Sequence, residues 1–449
     1  MTHGSTANRI NWKDIRQIWQ LAWPSISYTF IFNLIQLWTI RMIAPAGPDA
    51  IAAITTGQRL SFMMQGAMMA IAAGTTAMIA RNWGNKQYIQ AGKLTGLAIK
   101  LSLMAGTLAA LLVWISAPAI ARLFLHEPQA IEQTVTFLRT FAPWLIALAL
   151  NLVLSTALRA CGEVLIPLYS ALILAAVNIP LVFAWTQGAW GMPYLGVTGV
   201  AWASGIGLLA SSVFILLMIV RKSSPVQLNF SLSTFGDQAQ KMLSIGWPAA
   251  VEQIILHGGL NIFVLIIGQY GTAAYSAYGV GVSILALSFL VGFGFSLASA
   301  TLVGQKLGAS DRRAAFHYGW QSMWLAVFCM TIMGFLVILT APLIGQLLAL
   351  TEDVIRLTLL FIYFLGLMQP LMAIEFSLSG ALRGAGDTRS PLFITMLALT
   401  VRLILAMIVL WLEAPVVWVF ACLLADYCIK GVLYIRRFRS LSWLRAYNP

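Results

Sequence analysis

Leu154-Ser155-Thr156-Ala157-Leu158-Arg159 returns as Leu378-Ser379-Gly380-Ala381-Leu382-Arg383, 224 residues further on. The same spacing relates Trp23-Pro24 to Trp247-Pro248, Gly84 to Gly308 and Pro167-Leu168 to Pro391-Leu392. Matches spread this widely in one ungapped register indicate two copies of one structural unit. The register also sets Tyr28 against Glu252, Asn151 against Glu375, Asn178 against Arg402 and Trp202 against Asp426. The scaffold is repeated, but the ionisable residues at these depths stand only in the second copy.

The repeated unit belongs in a membrane. Hydrophobic residues make up 60% of the 449-residue chain and charged residues 9%, against about 25% charged in soluble chains. The mean hydropathy is +0.86. Twelve apolar stretches approach the ~20 residues that cross a bilayer. They are 18–43, 56–80, 95–118, 134–156, 165–187, 196–220, 243–269, 275–303, 317–342, 357–381, 392–412 and 414–435. They predict an all-α integral membrane protein with twelve transmembrane helices, in two parallel six-helix repeats. The predicted organisation is an N-terminal segment 1–17, a first lobe 18–220, a linker 221–240, a second lobe 241–436 and a tail 437–449. Each repeat has an even number of spans, so both enter from the same side. This is a common build of secondary transporters. The polar, basic start and the long apolar segment after it fit an uncleaved first helix better than a signal peptide.

Basic residues orient the chain. Lys13 and Arg16 precede the first span, and Arg81, Lys86 and Lys93 follow the second. Arg159, Arg221 and Lys222 follow the fourth and sixth, and Lys306, Arg312 and Arg313 the eighth. Arg383 and Arg389 follow the tenth, and Arg436, Arg437, Arg439 and Arg445 the twelfth. The alternate loops carry Asp49, Glu127, Glu132, Glu352, Asp353 and Glu413. The positive-inside rule puts both termini in the cytoplasm. Basic loops facing anionic lipid account for the formal charge of +13, so no nucleic-acid partner is called for.

Several chemistries find no footing. Cys161, Cys329, Cys422 and Cys428 have no metal-ligand spacing and read as packing residues. The chain has no phosphate loop and no His-Glu-x-x-His pair, and no cofactor is implied. Gly384-Ala385-Gly386-Asp387 fits the Gly-x-Gly-Asp of intramembrane aspartyl proteases. Its counterpart in the first copy, Glu163 of Cys161-Gly162-Glu163, occupies the same turn, so the motif reads as a duplicated boundary and the chain as a non-enzyme.

Ala381-Leu382-Arg383-Gly384-Ala385-Gly386-Asp387-Thr388, followed by Pro391, resembles the signature closing the tenth helix of multidrug and toxic compound extrusion (MATE) transporters. Gly246-Trp247-Pro248-Ala249-Ala250-Val251-Glu252-Gln253 is similar to the family's seventh helix. Val303-Gly304-Gln305 with Leu307-Gly308-Ala309 resembles the motif after its eighth, and Gly196-Val197-Thr198-Gly199-Val200-Ala201-Trp202-Ala203 the opening of its sixth. The resemblance implies two six-helix lobes around a central cavity, a place in a bacterial inner membrane, and export of small amphipathic, often cationic organic compounds, driven by a proton or sodium gradient. One departure stands out. The aspartate that many bacterial members carry in helix 1 is replaced by Thr39, just before Gly47-Pro48-Asp49. Carboxylate coupling is therefore expected in the second repeat, with a monomer sufficing for function.

Carboxylates at membrane depth are costly and persist mainly where they face a cavity or a partner. Glu252 lies ~13 Å into its span and Glu375 ~12 Å from the same side at helical rise; Asp426 lies ~15 Å in. All three are candidates for proton or cation coupling, with sodium a candidate ligand of Glu252. The opposing reading is fixed ion pairs that hold helices together, with Arg402 as charge partner of Asp426 or Glu375. Candidate residues for a substrate cavity are Tyr28, Thr39, Met63, Met64, Gln253 and His257. Met, aromatic and histidine side chains serve equally as packing, and both readings stand at this stage. A second function class is a flippase for a lipid-linked precursor. It calls for a cationic cavity, for which Arg41, Arg59 and Arg402 are the candidates.

Overall fold

The computed structural model describes residues 12–221, 228, 235–348 and 351–445. Among these every regular element is helical, as hydrocarbon demands of backbone that finds no water to bond. The α-helices are α1 (Trp12–Ile43), α2 (Pro48–Gly84), α3 (Tyr88–Phe124), α4 (Pro128–Phe141), α5 (Leu145–Ala160), α6 (Leu165–Gln187), α7 (Gly196–Val220), α8 (Phe235–Gly268), α9 (Thr272–Gly308), α10 (Arg312–Leu348), α11 (Glu352–Gly384), α12 (Arg389–Trp411) and α13 (Val416–Arg439). A 3₁₀ turn at Ala142–Trp144, carrying Pro143, divides α4 from α5 within one span. The result, among the described residues, is 12 helical segments long and apolar enough to cross a membrane.

The repeat is written into the backbone. Helices α2 and α9 have 37 residues each and start 224 apart; so do α3 and α10. Helices α6 and α12 have 23 each in the same register. Left-handed turn residues recur in pairs at that spacing: Gly47 (φ 98°) and Gly271 (96°), Lys86 (59°) and Ser310 (61°), Gly162 (89°) and Gly386 (88°).

The register then breaks. Residues 188–195 join α6 to α7, whereas residues 412–415 suffice between α12 and α13. Helices α7 and α13 therefore start 220 residues apart, at Gly196 and Val416. By helix position Asp426 aligns with Ile206, which corrects the sequence match to Trp202. Neither residue is charged, so the asymmetry of the two copies stands.

Most helices outrun the apolar stretches. The stretch 56–80 extends to Pro48–Gly84, and 95–118 to Tyr88–Phe124. Hydropathy marks only the hydrocarbon-facing part of a helix. Thirty-seven residues rise about 55 Å, well beyond the ~30 Å of a bilayer core. Helix α1 starts inside the predicted segment 1–17, α8 starts inside the predicted linker 221–240, and α13 runs past residue 436. The rest of the predicted N-terminal segment, most of the linker and the end of the tail lie outside the described residues.

The chain forms two compact units, Ser27–Ala250 and Met1–Ile26 with Val251–Pro449. They divide inside α1 and α8, just after Pro24 and Pro248, rather than at the linker. Proline removes a helical hydrogen bond and kinks the helix, so the two stretches of each helix are able to follow different neighbours.

In the unit Ser27–Ala250 the core gathers Ile54, Phe137, Leu138, Leu145 and Val200. In the other unit α9 packs closely on α11. A Cβ at Gly380 or Gly384, one turn apart on α11, would collide with the backbone carbonyls of Ser296 and Ala300 on α9. Such small-residue spacing lets membrane helices approach to backbone contact.

Candidate functional site

Four helices of the second repeat converge their polar side chains. On α11, Glu375, Ser379 and Arg383 are spaced four apart and share one face. On α13, Asp426 and Lys430 share a face for the same reason. Helix α8 contributes Glu252 and Gln253, and α12 contributes Thr395 and Arg402.

These residues form a chain of ion pairs. Arg383 Nη2 lies 2.8 Å from each carboxylate oxygen of Glu252, and Thr395 Oγ1 donates to Glu252 Oε1 at 3.0 Å. Lys430 Nζ lies 3.2 Å from Glu375 Oε1 and 3.4 Å from Asp426 Oδ2. Arg402 Nη1 reaches the same Asp426 oxygen at 3.3 Å and lies over the ring of Phe263, 4.8 Å from its centroid. Glu252 is 4% exposed, Lys430 2% and Asp426 1%. Three carboxylates thus face three cations, and the cluster, in which Glu375 and Arg383 are partly exposed, is formally neutral.

A cavity of about 50 Å³ opens beside it, walled by Glu252, Glu375, Arg383 and Lys430 with Phe289 and Phe376. A water molecule needs roughly 15 Å³ of such space, and a drug-sized ligand ~300 Å³ or more. The cavity therefore suits water and small ions, not an organic substrate. Gln253 and Tyr427 also line it; His257 does not. A larger depression of about 400 Å³ is bounded, among the described residues, by Glu352 to Tyr363 of α11. It is an open surface groove along one helix.

Span boundaries predict Arg159 and Arg383 as loop cations, but each sits in the last turn of its helix with its side chain turned inward. Arg383 is the partner of Glu252, a contact spanning 131 positions of the chain. Lys430 was missed altogether. Its signal was the pair Asp426 and Lys430, four apart inside an apolar span, which is rare unless the charges answer one another.

The first repeat carries the same layout without the acids. Arg159 lies over the ring of Tyr28, 4.3 Å from its centroid. Tyr28 donates to Asn151 Oδ1 at 3.3 Å, and Asn151 Nδ2 to Ser211 at 2.8 Å. Thr39 is buried, with its hydroxyl donated to Ile35 O of its own helix at 2.8 Å. Met64 packs against this unit's core, whereas Met63 is exposed. His257, in the second repeat, is half-buried. Arg41 and Arg59 are exposed.

The boundary turns are structural. Asp387 accepts from Arg437 Nη2 at 2.7 Å and Nε at 3.0 Å, and from the Ser390 N–H at 3.1 Å. Its counterpart Glu163 accepts from the Leu165 N–H at 3.2 Å. Each carboxylate thus satisfies a backbone donor at the head of the next helix. Between α5 and α6, burial and the neighbouring Glu163 push the Cys161 thiol well up from its ordinary pKa, as befits an unreactive thiol.

The family model MatE matches residues 24–184 and again residues 248–408, so its two matches start 224 residues apart. This chain belongs to the MATE family of transporters. It is accordingly a multi-pass membrane transporter and not an enzyme. This MATE protein is 24% identical over 434 residues to the probable multidrug resistance protein NorM of Thermotoga maritima, covering 95% of this chain and 93% of that one. It is 26% identical over 361 residues to the multidrug resistance protein PmpM of Pseudomonas aeruginosa, covering 80% and 76%. Among solved structures, a MATE transporter crystallised with MaL6 superposes with a TM-score of 0.88 at 17% identity, covering 100% of both chains. A MOP superfamily transporter from Pyrococcus furiosus, described as having a binding pocket of reverse polarity, superposes with a TM-score of 0.86 at 18% identity, covering 99% and 98%. At these identities the solved structures establish the fold.

Proposed function

We propose that this MATE transporter is a secondary active multidrug efflux antiporter. It exports small amphipathic, cationic organic compounds in exchange for protons or sodium ions. It does so as a monomer in the inner membrane of a bacterial cell, with both termini in the cytoplasm. The observation that carries the reading is the buried cluster of Glu252, Glu375 and Asp426 beside a cavity of about 50 Å³. Three carboxylates kept at membrane depth, two of them (Glu252 and Glu375) lining space for water or an ion, are costly for a scaffold and useful for an ion-driven machine. Relatives named for multidrug resistance support the same direction.

In this reading, loading the cluster with the driving ion favours one state of the transporter, because the ion binds one state better than the other. Glu252 leaves Arg383 in one step of the cycle and returns to it in another. The polar first repeat, with Tyr28, Asn151 and Thr39, contributes to substrate binding without a carboxylate of its own.

The test is transport of a fluorescent organic cation into liposomes under an imposed pH or sodium gradient. Glu252→Gln is expected to lower the gradient-driven rate about tenfold or more, the loss of one charge-assisted contact. An undiminished rate in a folded Glu252→Gln protein removes Glu252 from coupling. The flippase alternative has less to rest on. Of its three candidate cations, Arg402 is engaged by Asp426, and Arg41 and Arg59 are exposed.

A further inference from the structure

In the second repeat one cation is covalently part of the site. Lys430 is 2% exposed, and its ammonium stands between two carboxylates of different helices, Glu375 on α11 and Asp426 on α13. It also forms part of the wall of the small cavity. The other carboxylate there, Glu252, already has both oxygens engaged by Arg383, and Oε1 also by Thr395.

We propose that Lys430 is a built-in cation: its ammonium fills, between Glu375 and Asp426, the place that a coupling sodium ion would take, and so bars sodium from the second repeat. The inference rests on the antiport reading and narrows it, leaving the proton as the driving ion.

The argument is one of charge and room. The buried groups sum to zero with Lys430, Arg402 and Arg383 in place. A sodium ion added to them brings an uncompensated positive charge into a low-dielectric site, within a few ångströms of an ammonium, and that is unfavourable on both counts. Hard cations bind oxygen ligands directly and in number. Here one oxygen from each helix, Glu375 Oε1 on α11 and Asp426 Oδ2 on α13, already converges on the Lys430 nitrogen, although Asp426 Oδ1 is buried without a hydrogen-bond partner. Removing the ammonium alone would leave the cluster one charge negative and would vacate the space between two carboxylates, which is the requirement for a monovalent cation site. Lys430→Met keeps the length and apolar stem of the side chain and removes only the charge.

The decisive measurement needs no transport. The melting temperature of the full-length protein in detergent is followed as sodium chloride replaces choline chloride at constant ionic strength. The wild type is expected to show no sodium-specific shift. Lys430→Met is expected to gain a saturable rise of about 3 °C or more, because an ion that binds only the folded form stabilises it. A saturable sodium-specific rise in the wild type overturns the proposal, as does a folded Lys430→Met protein without one. If Lys430→Met does not fold, the wild-type titration still decides.

Liposome transport provides the second arm. Wild-type transport of the organic cation is expected to follow a pH gradient and to ignore a sodium gradient. Sodium-driven wild-type transport overturns the assignment of Lys430. Failure of transport under both gradients counts instead against the export reading, and the sodium titration of the purified protein still judges Lys430 by itself.

Discussion

Arg383 clasps Glu252 through a single nitrogen. Nη2 lies 2.8 Å from both carboxylate oxygens, while Nε of the same guanidinium is buried without a hydrogen-bond partner. A two-nitrogen fork on a carboxylate is the stronger and more specific arrangement. The one-nitrogen clasp leaves part of the guanidinium unsatisfied.

The strength of this pair is measurable by a double-mutant cycle. Arg383→Met leaves the Glu252 carboxylate buried without its main partner and is expected to cost about 3–5 kcal/mol of stability. Combining it with Glu252→Gln removes the stranded charge and should recover more than half of that loss. Thermal unfolding of the four proteins in one detergent provides the comparison; losses that simply add would show that the two residues are not coupled.

In the first repeat Tyr28 stands where Glu252 stands in the second, and Arg159 where Arg383 stands. Tyr28→Phe keeps the ring against Arg159 and loses the hydroxyl contact to Asn151. It is expected to cost about 1 kcal/mol, the net worth of one hydrogen bond. Tyr28→Lys, which sets a second cation against the buried Arg159, should sharply lower the yield of folded protein, whereas Tyr28→Glu restores the ion pair of the other repeat and should fold. Yield of monodisperse protein in size-exclusion chromatography distinguishes these outcomes.

The close approach of α9 and α11 depends on glycine. Gly380→Val or Gly384→Val drives a side chain into a backbone carbonyl of α9, a collision that no rotamer relieves. Overpacking of this kind costs about 1–3 kcal/mol or more, and either variant is expected to lose folded protein at 37 °C. Gly258 on α8 has nothing within 4 Å of the added Cβ. Gly258→Ala should therefore raise stability by about 0.5–1 kcal/mol, the usual gain on replacing glycine within a helix. A destabilised Gly258→Ala would show that α8 needs glycine's backbone freedom there.

Cys161 lies in a turn outside the spans, yet it is buried and its thiol is pushed well up from the ordinary pKa. A raised thiol pKa favours the neutral, unreactive form. Cys161 should therefore resist a water-soluble maleimide throughout pH 7 to about 9, and should react once the protein is unfolded in detergent. Rapid labelling of the native protein, located by mass spectrometry, would contradict this.

Much of the fold was legible without coordinates. Apolar stretches revealed the helices because each must bond its own backbone in lipid, and the 224-residue register revealed two copies. Helix ends were less visible, since α2 and α3 continue into polar surroundings that hydropathy reads as loop. The site was legible by halves. Glu252, Glu375 and Asp426 stood out as acids in apolar spans. Their partners did not: Arg383 reads as a boundary charge and Lys430 as one more basic residue near the chain's end, because the helical face a side chain occupies decides its role.

The sequence by itself determined the membrane class, the duplication and the confinement of buried carboxylates to the second copy. Each of these is a property of composition or spacing along one chain. Only the tertiary structure decided which cation answers which carboxylate, and that the last helix has slipped out of register with its counterpart. Those contacts join residues such as Glu252 and Arg383, 131 positions apart. They depend on how α8, α11, α12 and α13 are rotated about their own axes, and that rotation is set by packing between helices.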